Sequence, residues 1–485
     1  MKNELNIKKI GVAVLACYLV LVTGFYLIAN QQLRFRDDET DMLTPLAAIG
    51  QITAGVEIRQ RIIPTADAIT GVVLMLSTYD RINTTQLDVS ITNETGAVLA
   101  SQKIDTATLA DNAEQRITFD VPMQATSGEP VFLVLTSPDG TPGNAVTVWW
   151  GNAISATRVE IPKEIATEDL VTVNGVPMEG MLCFRLSERT ELWFGHIYWY
   201  AAIAVGILLA AYLVYLFAAI QKGKSPLAIR VLDAFRRYGF LMRQLISRDF
   251  KTKYKRSVLG ILWSFLNPLL TMLVQYVVFS TLFKSDIPNF PLYLLTGIVC
   301  FNFFSEATSM SLQSIVGNAS LITKVYVPKY IYPITRVFSS TINLLLSMIP
   351  LFAVMLLTRT PIRPAIILLP FGIICLVAFC IGMGFLLSTL MVFFRDTQFL
   401  WGVLSMLWMY ATPIFYPESI IPEQFVLLFK CNPLYHIIRF FRIILINGVS
   451  PEPKAYGLCL LASFIPLVLG AAIFKRQQDK FILNL

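Results

Sequence analysis

Histidine is nearly missing from this chain: His196 and His436 are the only two in 485 residues. With so few imidazoles and no clear acidic metal motif, a membrane-bound acyl- or glycosyltransferase has little from which to build its site, and the pattern argues against an enzyme. Cysteine is placed where it cannot crosslink. Of seven, Cys183 alone lies within residues 31–193, so no disulfide forms inside that stretch. Cys375 and Cys380, in "CLVAFC", sit inside an apolar run and read as helix or lipid packing rather than metal ligands. Charge is scarce too. Only 15% of residues are Asp, Glu, Lys or Arg against 55% hydrophobic, with a mean hydropathy of +0.62, which excludes an ordinary soluble globular protein.

Apolar length is what the chain has in excess. Runs of about 20 residues cross roughly 30 Å of hydrocarbon. Eight such spans are expected, at 11–29, 197–220, 258–283, 291–315, 330–357, 365–392, 399–415 and 455–474, which predicts an α-helical polytopic membrane protein. The first run exceeds a usual signal-peptide core and no clear A-x-A cleavage site follows, which favours an uncleaved anchor. Charge divides the chain: residues 31–193 carry 22 Asp/Glu against 11 Lys/Arg, a net of −11, leaving +18 on the rest. Lys2, Lys8 and Lys9 before the first span, and eleven Lys/Arg against Asp233 and Asp249 in 221–256, place both segments on the cytoplasmic side. An even span count returns the tail, with Lys475, Arg476 and Lys480, to that side and leaves 31–193 outside. Arg359, Arg363, Lys430, Arg439 and Arg442 then fall outside as well, against the rule.

Residues 69–150 change period. "ITGVVLMLSTYD", "TQLDVSITNETGAVLASQKI", "QRITFDV", "PVFLVLTSPDG" and "NAVTVWW" alternate apolar and polar residues between turn residues, which predicts an inserted all-β sandwich with a hairpin at "NETGAVLA". Adjacent residues of a strand face opposite ways, so at most one of Trp149 and Trp150 is a surface platform of the kind that stacks on sugar; the other belongs to the core. The acidity of the region disfavours an anionic polymer as its ligand but not a neutral glycan.

The segment "AAIQKGKS", residues 218–225, matches the loosest form of a phosphate-binding loop. It follows the end of an apolar span rather than a buried strand, carries Ala218 where the first glycine belongs, and has no α/β domain to supply a metal-binding carboxylate. Lys222 and Lys224 read instead as interfacial anchors, with Ser225-Pro226 opening a helix. ATP hydrolysis by this chain is not expected. Downstream, Leu227, Val231, Ala234, Phe235, Tyr238, Leu241 and Leu245 share one helical face, away from Arg230, Asp233 and Arg237, as in a basic amphipathic helix on a membrane surface. An ordinary packed helix is the alternative.

Residues 247–270, "SRDFKTKYKRSVLGILWSFLNPLL", join a charged segment to Leu259-Gly260, Trp263 and Asn267-Pro268. This closely resembles the opening of permeases of the type-two ABC exporters that move polysaccharides, including O-antigen, capsule and teichoic-acid exporters. "KVYVPKYIYPIT" (324–335), "FFRDTQFLWGVLSMLWMYATPIFYP" (393–417), "NPLYHIIRFFR" (432–442) and the basic tail agree in order, so the resemblance covers about residues 226–485. Two extra spans enclosing the outer β domain depart from the simplest family pattern. The expected division is an anchor at 1–30, an extracytoplasmic β sandwich at 31–193, a second transmembrane helix at 194–221, a basic amphipathic gate helix and linker at 222–257, and a six-helix exporter domain at 258–485.

The resemblance implies a homodimer with two copies of a separate ABC ATPase subunit, which would hold the ATP and Mg, so that this chain carries no cofactor itself. It implies a lipid-linked polysaccharide as cargo, on a polyprenyl diphosphate, crossing the cytoplasmic (inner) membrane. Nothing points to a nucleic-acid partner. Arg248, Lys251, Lys253, Lys255 and Arg256 are the candidates to attract a diphosphate headgroup, with plain positive-inside anchoring as the alternative. Trp263, Phe265, Tyr276, Trp401, Trp408 and Tyr410 are candidates for an aromatic polymer path, with packing or interfacial belts as the alternative. The loop 313–329, with Lys324 and Lys329, resembles the coupling helix that docks on the ATPase. Arg395 and Asp396 form either a second such contact or a local ion pair. Glu306 is the one acidic residue well inside a later span and is a functional candidate on that ground, unless Asn302, one turn earlier, satisfies it. Pro413, Tyr416 and Pro417 lie where prolines break the helix, in a re-entrant element near the exit.

Two rivals share parts of this description. A polymer chain-length regulator also has an outer domain between two spans but leaves six further spans unexplained. Export of a small lipid or drug by the same machinery is the nearer competitor.

Overall fold

The computed structural model describes residues 2–485 apart from 125–127, 157–158, 163–164, 223–225, 256–258, 282–288 and 325–326. Two compact units emerge: Leu33–Ile197, and residues 1–32 together with 198–485.

The first unit is all-β. Its strands are β1 (Phe35–Glu39), β2 (Ala47–Ala48), β3 (Glu57–Ile62), β4 (Ala68–Ser77), β5 (Gln86–Thr92), β6 (Val98–Asp105), β7 (Ala113–Gln124), β8 (Val131–Thr136), β9 (Thr147–Gly151), β10 (Ala153–Ala156), β11 (Val159–Pro162), β12 (Thr172–Val173), β13 (Val176–Pro177), β14 (Met181–Leu182) and β15 (Phe184–Glu191). One sheet runs β1-β15-β4-β9-β14, with β7 beside β4 and β2 beside β9; the other runs β13-β12-β3-β8-β5-β6. Alternation decides which side chains meet between them. Ile58 and Ile62 of β3, Val72, Leu74 and Leu76 of β4, and Leu133 and Leu135 of β8 fill one core, the arrangement expected of a sandwich. Gln60 is fully buried yet satisfied: its amide donates to Asp169 O at 2.7 Å and accepts from Leu182 N at 3.0 Å, tying one sheet to the other.

The expected hairpin is present. Thr92 pairs with Val98, Asn93 Oδ1 accepts from Ala97 N at 2.8 Å, and Gly96 takes the left-handed φ of 84° that the turn needs. Cys183 is a buried free thiol, pushed up to about 12 by burial. Trp150 lies across Gly180, where a Cβ would meet the indole at 2.4 Å.

The second unit is helical. It comprises α1 (Lys2–Arg34), which runs on to the start of the β unit, α2 (Trp193–Gln221), α3 (Leu227–Tyr254), α4 (Trp263–Thr281), α5 (Phe290–Leu312), the short α6 (Ala319–Ile322), α7 (Ile331–Leu357), α8 (Leu369–Phe393), α9 (Thr397–Tyr410), α10 (Glu423–Lys430), α11 (Pro433–Arg442), α12 (Pro453–Gln477) and α13 (Phe481–Asn484). Among the described residues seven helical segments are long and apolar enough to cross a membrane. The span expected at 399–415 is the exception: α9 has 14 residues, about 21 Å of helix, because Pro413 and Pro417 cannot extend it. The amphipathic segment is longer than expected, since α3 carries the basic "SRDFKTKY" as its last two turns. The packed alternative applies to its later half, where Met242 and Leu245 are buried in a cluster with Ile315, Tyr332, Phe385 and Phe474; Phe235 is exposed.

Helix α5 is the centre, with Leu292, Leu295, Phe304 and Ala307 fully buried against α7 and α8. The added α1 and α2 pair through reciprocal bonds, Tyr18 Oη to Ala202 O at 2.6 Å and Tyr198 Oη to Val22 O at 2.8 Å, and Phe25 of α1 meets Tyr456 of α12 edge-on at 5.1 Å. Helices α8 and α12 approach through glycine. A Cβ on Gly470 would fall 2.1 Å from Gly382 O, and one on Gly382 would fall 2.4 Å from the Pro466 carbonyl carbon. Gly382→Leu or Gly470→Leu should therefore force the helices apart at a cost of roughly 1–3 kcal/mol or more, seen as loss of the monodisperse peak and a lowered melting temperature in detergent.

Candidate functional site

The end of α3, the second half of α5 and the first half of α7 enclose a polar cleft of 740 Å³ lined by Arg248, Asp249, Thr252, Lys253, Glu306 and Arg336, among others. Helical spacing puts Asp249 and Lys253 one turn apart on α3, facing different partners. The Asp249 carboxylate, only 4% exposed, meets Arg336 of α7 at 2.8 Å and Arg248 at 3.1 Å. Lys253 Nζ lies 2.8 Å from Glu306 Oε1, which also accepts from Asn343 Nδ2 at 2.7 Å. Asn343 Oδ1 in turn accepts from Tyr254 Oη at 2.9 Å, and Tyr254 bonds Ser264 at the start of α4. Two ion pairs thus fasten α3 to α5 and α7, and the carboxylate inside the bundle is paired rather than bare.

This arrangement corrects several expectations. Asn343, not Asn302, satisfies Glu306, because α7 packs beside α5 while Asn302 sits on an exposed face. Of the basic candidates, Arg248 and Lys253 line the cleft; Lys251 and Lys255 are exposed, and Arg256 lies outside the described residues. Arg336 joins them, a residue that its apolar surroundings in sequence gave little reason to select. Trp401 is 5% exposed, packed with Phe304 and Trp408, and so lines no surface of this chain. Trp408 donates to Asn432 Oδ1 at 2.9 Å and also packs at a tilt against Phe304. Trp263, Tyr276 and Tyr410 are exposed, and Phe265 is partly buried.

The loop after α5 forms the short turns Val316–Asn318 and Ala319–Ile322, with Ile315 and Ile322 buried and Gln313, Ser320 and Lys324 exposed. Lys329 is not free for docking: its Nζ caps the C-terminal segment at Gln478 O, 2.7 Å away. Arg395 and Asp396 are both exposed. In the "AAIQKGKS" stretch, 218–221 are the last turn of α2, and 223–225 lie outside the described residues.

The broken segment 411–417 is held from within. Pro413, Ile414 and Phe415 are buried, so their carbonyls need partners. Arg442, 7% exposed, donates to Pro413 O at 2.7 Å and Ile414 O at 3.1 Å, and its guanidinium lies 3.4 Å from the Tyr293 ring centroid. Tyr293 Oη donates to Tyr416 O at 2.8 Å, and Tyr416 Oη to Tyr410 O at 2.6 Å. Asn432 bonds Thr412 at 2.8 Å. Arg442 thus has a reason to depart from the charge rule: it serves protein backbone rather than a membrane surface.

A bundle of apolar helices around an ion-paired cleft and a buried broken segment defines a polytopic membrane protein. The chain belongs to the ABC-2 type transporter family, whose model matches residues 241–446. It is 33% identical over 249 residues to the O-antigen export system permease protein RfbA of Klebsiella pneumoniae, covering 50% of this chain and 95% of that one. The protein of the same name from Myxococcus xanthus is 29% identical over 257 residues, 52% of this chain and 98% of its own. The polysialic acid transport protein KpsM of Escherichia coli is 22% identical over 246 residues, 49% and 93% respectively.

Replacing Arg442 by Met should leave the Ile414 carbonyl without its donor and the Pro413 carbonyl with only the longer bond from Tyr293 Oη at 3.4 Å, at roughly 1–3 kcal/mol for the orphaned group. Thermal unfolding in detergent should drop clearly, and hydrogen exchange should rise first in 411–417.

Proposed function

We propose that this chain is the permease of an ATP-driven exporter that moves a lipid-linked polysaccharide, on a polyprenyl diphosphate, from the inner to the outer face of the cytoplasmic membrane. The observation that carries this reading is the match to 95% of an O-antigen export permease at 33% identity, over a domain whose charged cleft lies at the end of its amphipathic helix. Two copies of the chain would form the pathway. Two copies of a separate ATPase, holding ATP and Mg, would dock on the exposed turns near Gln313–Lys324 and on Arg395 and Asp396. Exposed Trp263, Tyr276 and Tyr410 offer rings for a polymer to slide over; the broken segment 411–417 lies near the exit, and 31–193 stand outside.

In the cleft, Arg248, Lys253 and Arg336 supply cations and Asp249 and Glu306 hold them in place when no headgroup is bound. A diphosphate would compete for the same cations, so headgroup entry and release of α3 from α5 and α7 become one event.

Depletion of the chain, followed by labelling of lipid-linked glycans, tests the reading. Full-length polymer should collect on the cytoplasmic face; normal surface polymer of altered length would point to a regulator, and unchanged glycan would defeat the proposal in favour of a small lipid or drug. Glu306→Gln, which keeps the shape but frees Lys253, should cut export by roughly tenfold, as a lost charge-assisted contact of ~1.4 kcal/mol would. Normal export at normal protein level would end the claim for Glu306.

A further inference from the structure

One end of the β unit holds a second group of side chains that the transport reading leaves unused. Ser77 closes β4 opposite Thr147, the first residue of β9, and Asn112 stands just before β7, whose pairing with β4 runs to Leu76 and Ala113. Trp149, next to the fully buried Val148 on β9, is partly exposed, as is Trp150; of the two, Trp149 joins the polar network at this end of the sheet. Its Nε1 donates to Asn112 Oδ1 at 3.1 Å. Asn112 Nδ2 donates to Asp111 Oδ2 at 2.9 Å, and Asp111 Oδ1 accepts from Ser77 Oγ at 2.8 Å and Thr78 N at 2.6 Å. The Ser77 hydroxyl foremost, with the backbone N–H groups of Thr78 and Asp80 and the Thr78 hydroxyl, holds the Asp111 carboxyl down to about 2.

The same network shapes the next loop. Tyr79 N donates to Ser77 Oγ at 3.3 Å, and Tyr79 and Asp80 both take left-handed backbone, φ 59° and 55°. Two successive residues with side chains in that region are uncommon, and such strain persists only where surrounding bonds enforce it. What the loop presents is a ring in water: Tyr79 is 41% exposed, and the Arg81 guanidinium lies 5.0 Å from its centroid. Arg81 is itself tethered to Ala145 O at 3.3 Å. Asp80 beside it is exposed.

We propose that this end of the sheet is a glycan-binding site, in which Tyr79 and Trp149 stack on pyranose faces while Asp80 and Asn112 bond sugar hydroxyls. The apolar C–H face of a pyranose suits a flat ring, and its equatorial hydroxyls suit a carboxylate and an amide fixed beside that ring. A neutral polymer is favoured over an anionic one by the net charge of −11 on residues 31–193. The network alone explains a stable loop; it does not explain why an aromatic ring is held out of the core on strained backbone. Only the choice of ligand rests on the polysaccharide-export reading.

The test titrates the full chain in detergent micelles, by calorimetry, with lipid-free polysaccharide released by mild acid from cells that carry it. Saturable binding is expected, weakened by roughly tenfold or more in Tyr79→Ala and Trp149→Ala and largely kept in Trp149→Phe. Tyr79→Ala removes an exposed side chain and should melt with the native chain, so it decides the matter if Trp149→Ala proves unstable. No saturable binding by the native chain, or native affinity in Tyr79→Ala, overturns the proposal. Depletion separates the two readings: normal export with no binding defeats only the glycan site, whereas unchanged glycan after depletion defeats the export reading and leaves the titration to be judged by itself.

Discussion

A peptide carbonyl with no donor is costly in hydrocarbon, and the helical unit is arranged around one place where that cost had to be met. Three prolines between 413 and 422 end α9 early, and the carbonyls they release are buried. Arg442 supplies the donors, and it reaches them only because α11 packs against α5, where Tyr293 offers a ring for the guanidinium. Asn432 and Tyr416 add bonds to the same segment. The short helix, the buried arginine and the tyrosine on α5 are therefore one device. A charge inside a membrane protein is tolerable when it replaces missing backbone partners.

The cleft at the end of α3 obeys the same economy with ions. Asp249 and Glu306 each meet a cation from another element, so α3 is held by pairs rather than by apolar contact alone. Pairs of this kind are poor at adding net stability, because desolvation consumes much of their attraction. They are good at being exchanged. A competing anion that takes the cation leaves the carboxylate to its remaining donors, as Asn343 Nδ2 remains for Glu306.

Much of this was legible along the chain. Apolar runs located the long helices to within a few residues, period-two alternation located the sandwich, and the Thr-Gly of "NETGAVLA" marked its hairpin. Prolines at 413 and 417 announced a broken segment. These features are local: they depend on hydrophobic length, on alternation and on the backbone limits of proline and glycine. The isolated carboxylate of Glu306 was visible for the same reason, since one acidic residue stands out in an apolar stretch.

What could not be read there is who meets whom. Asn343 rather than Asn302 satisfies Glu306, because the neighbour across a helix interface competes with the neighbour one turn away and interhelical packing decides. Trp401 belongs to a buried aromatic cluster although its composition matched an aromatic lining. Lys329 caps a distant helix end. Arg442 looked like a stray charge until the 411–417 segment came beside it, and Arg336 stood out only once α3 did. The sequence by itself determined which stretches are spans, strands and breaks and which charges are expensive; the tertiary structure alone decided their partners, because a buried polar group is defined by the donors and acceptors that packing brings within about 3 Å of it.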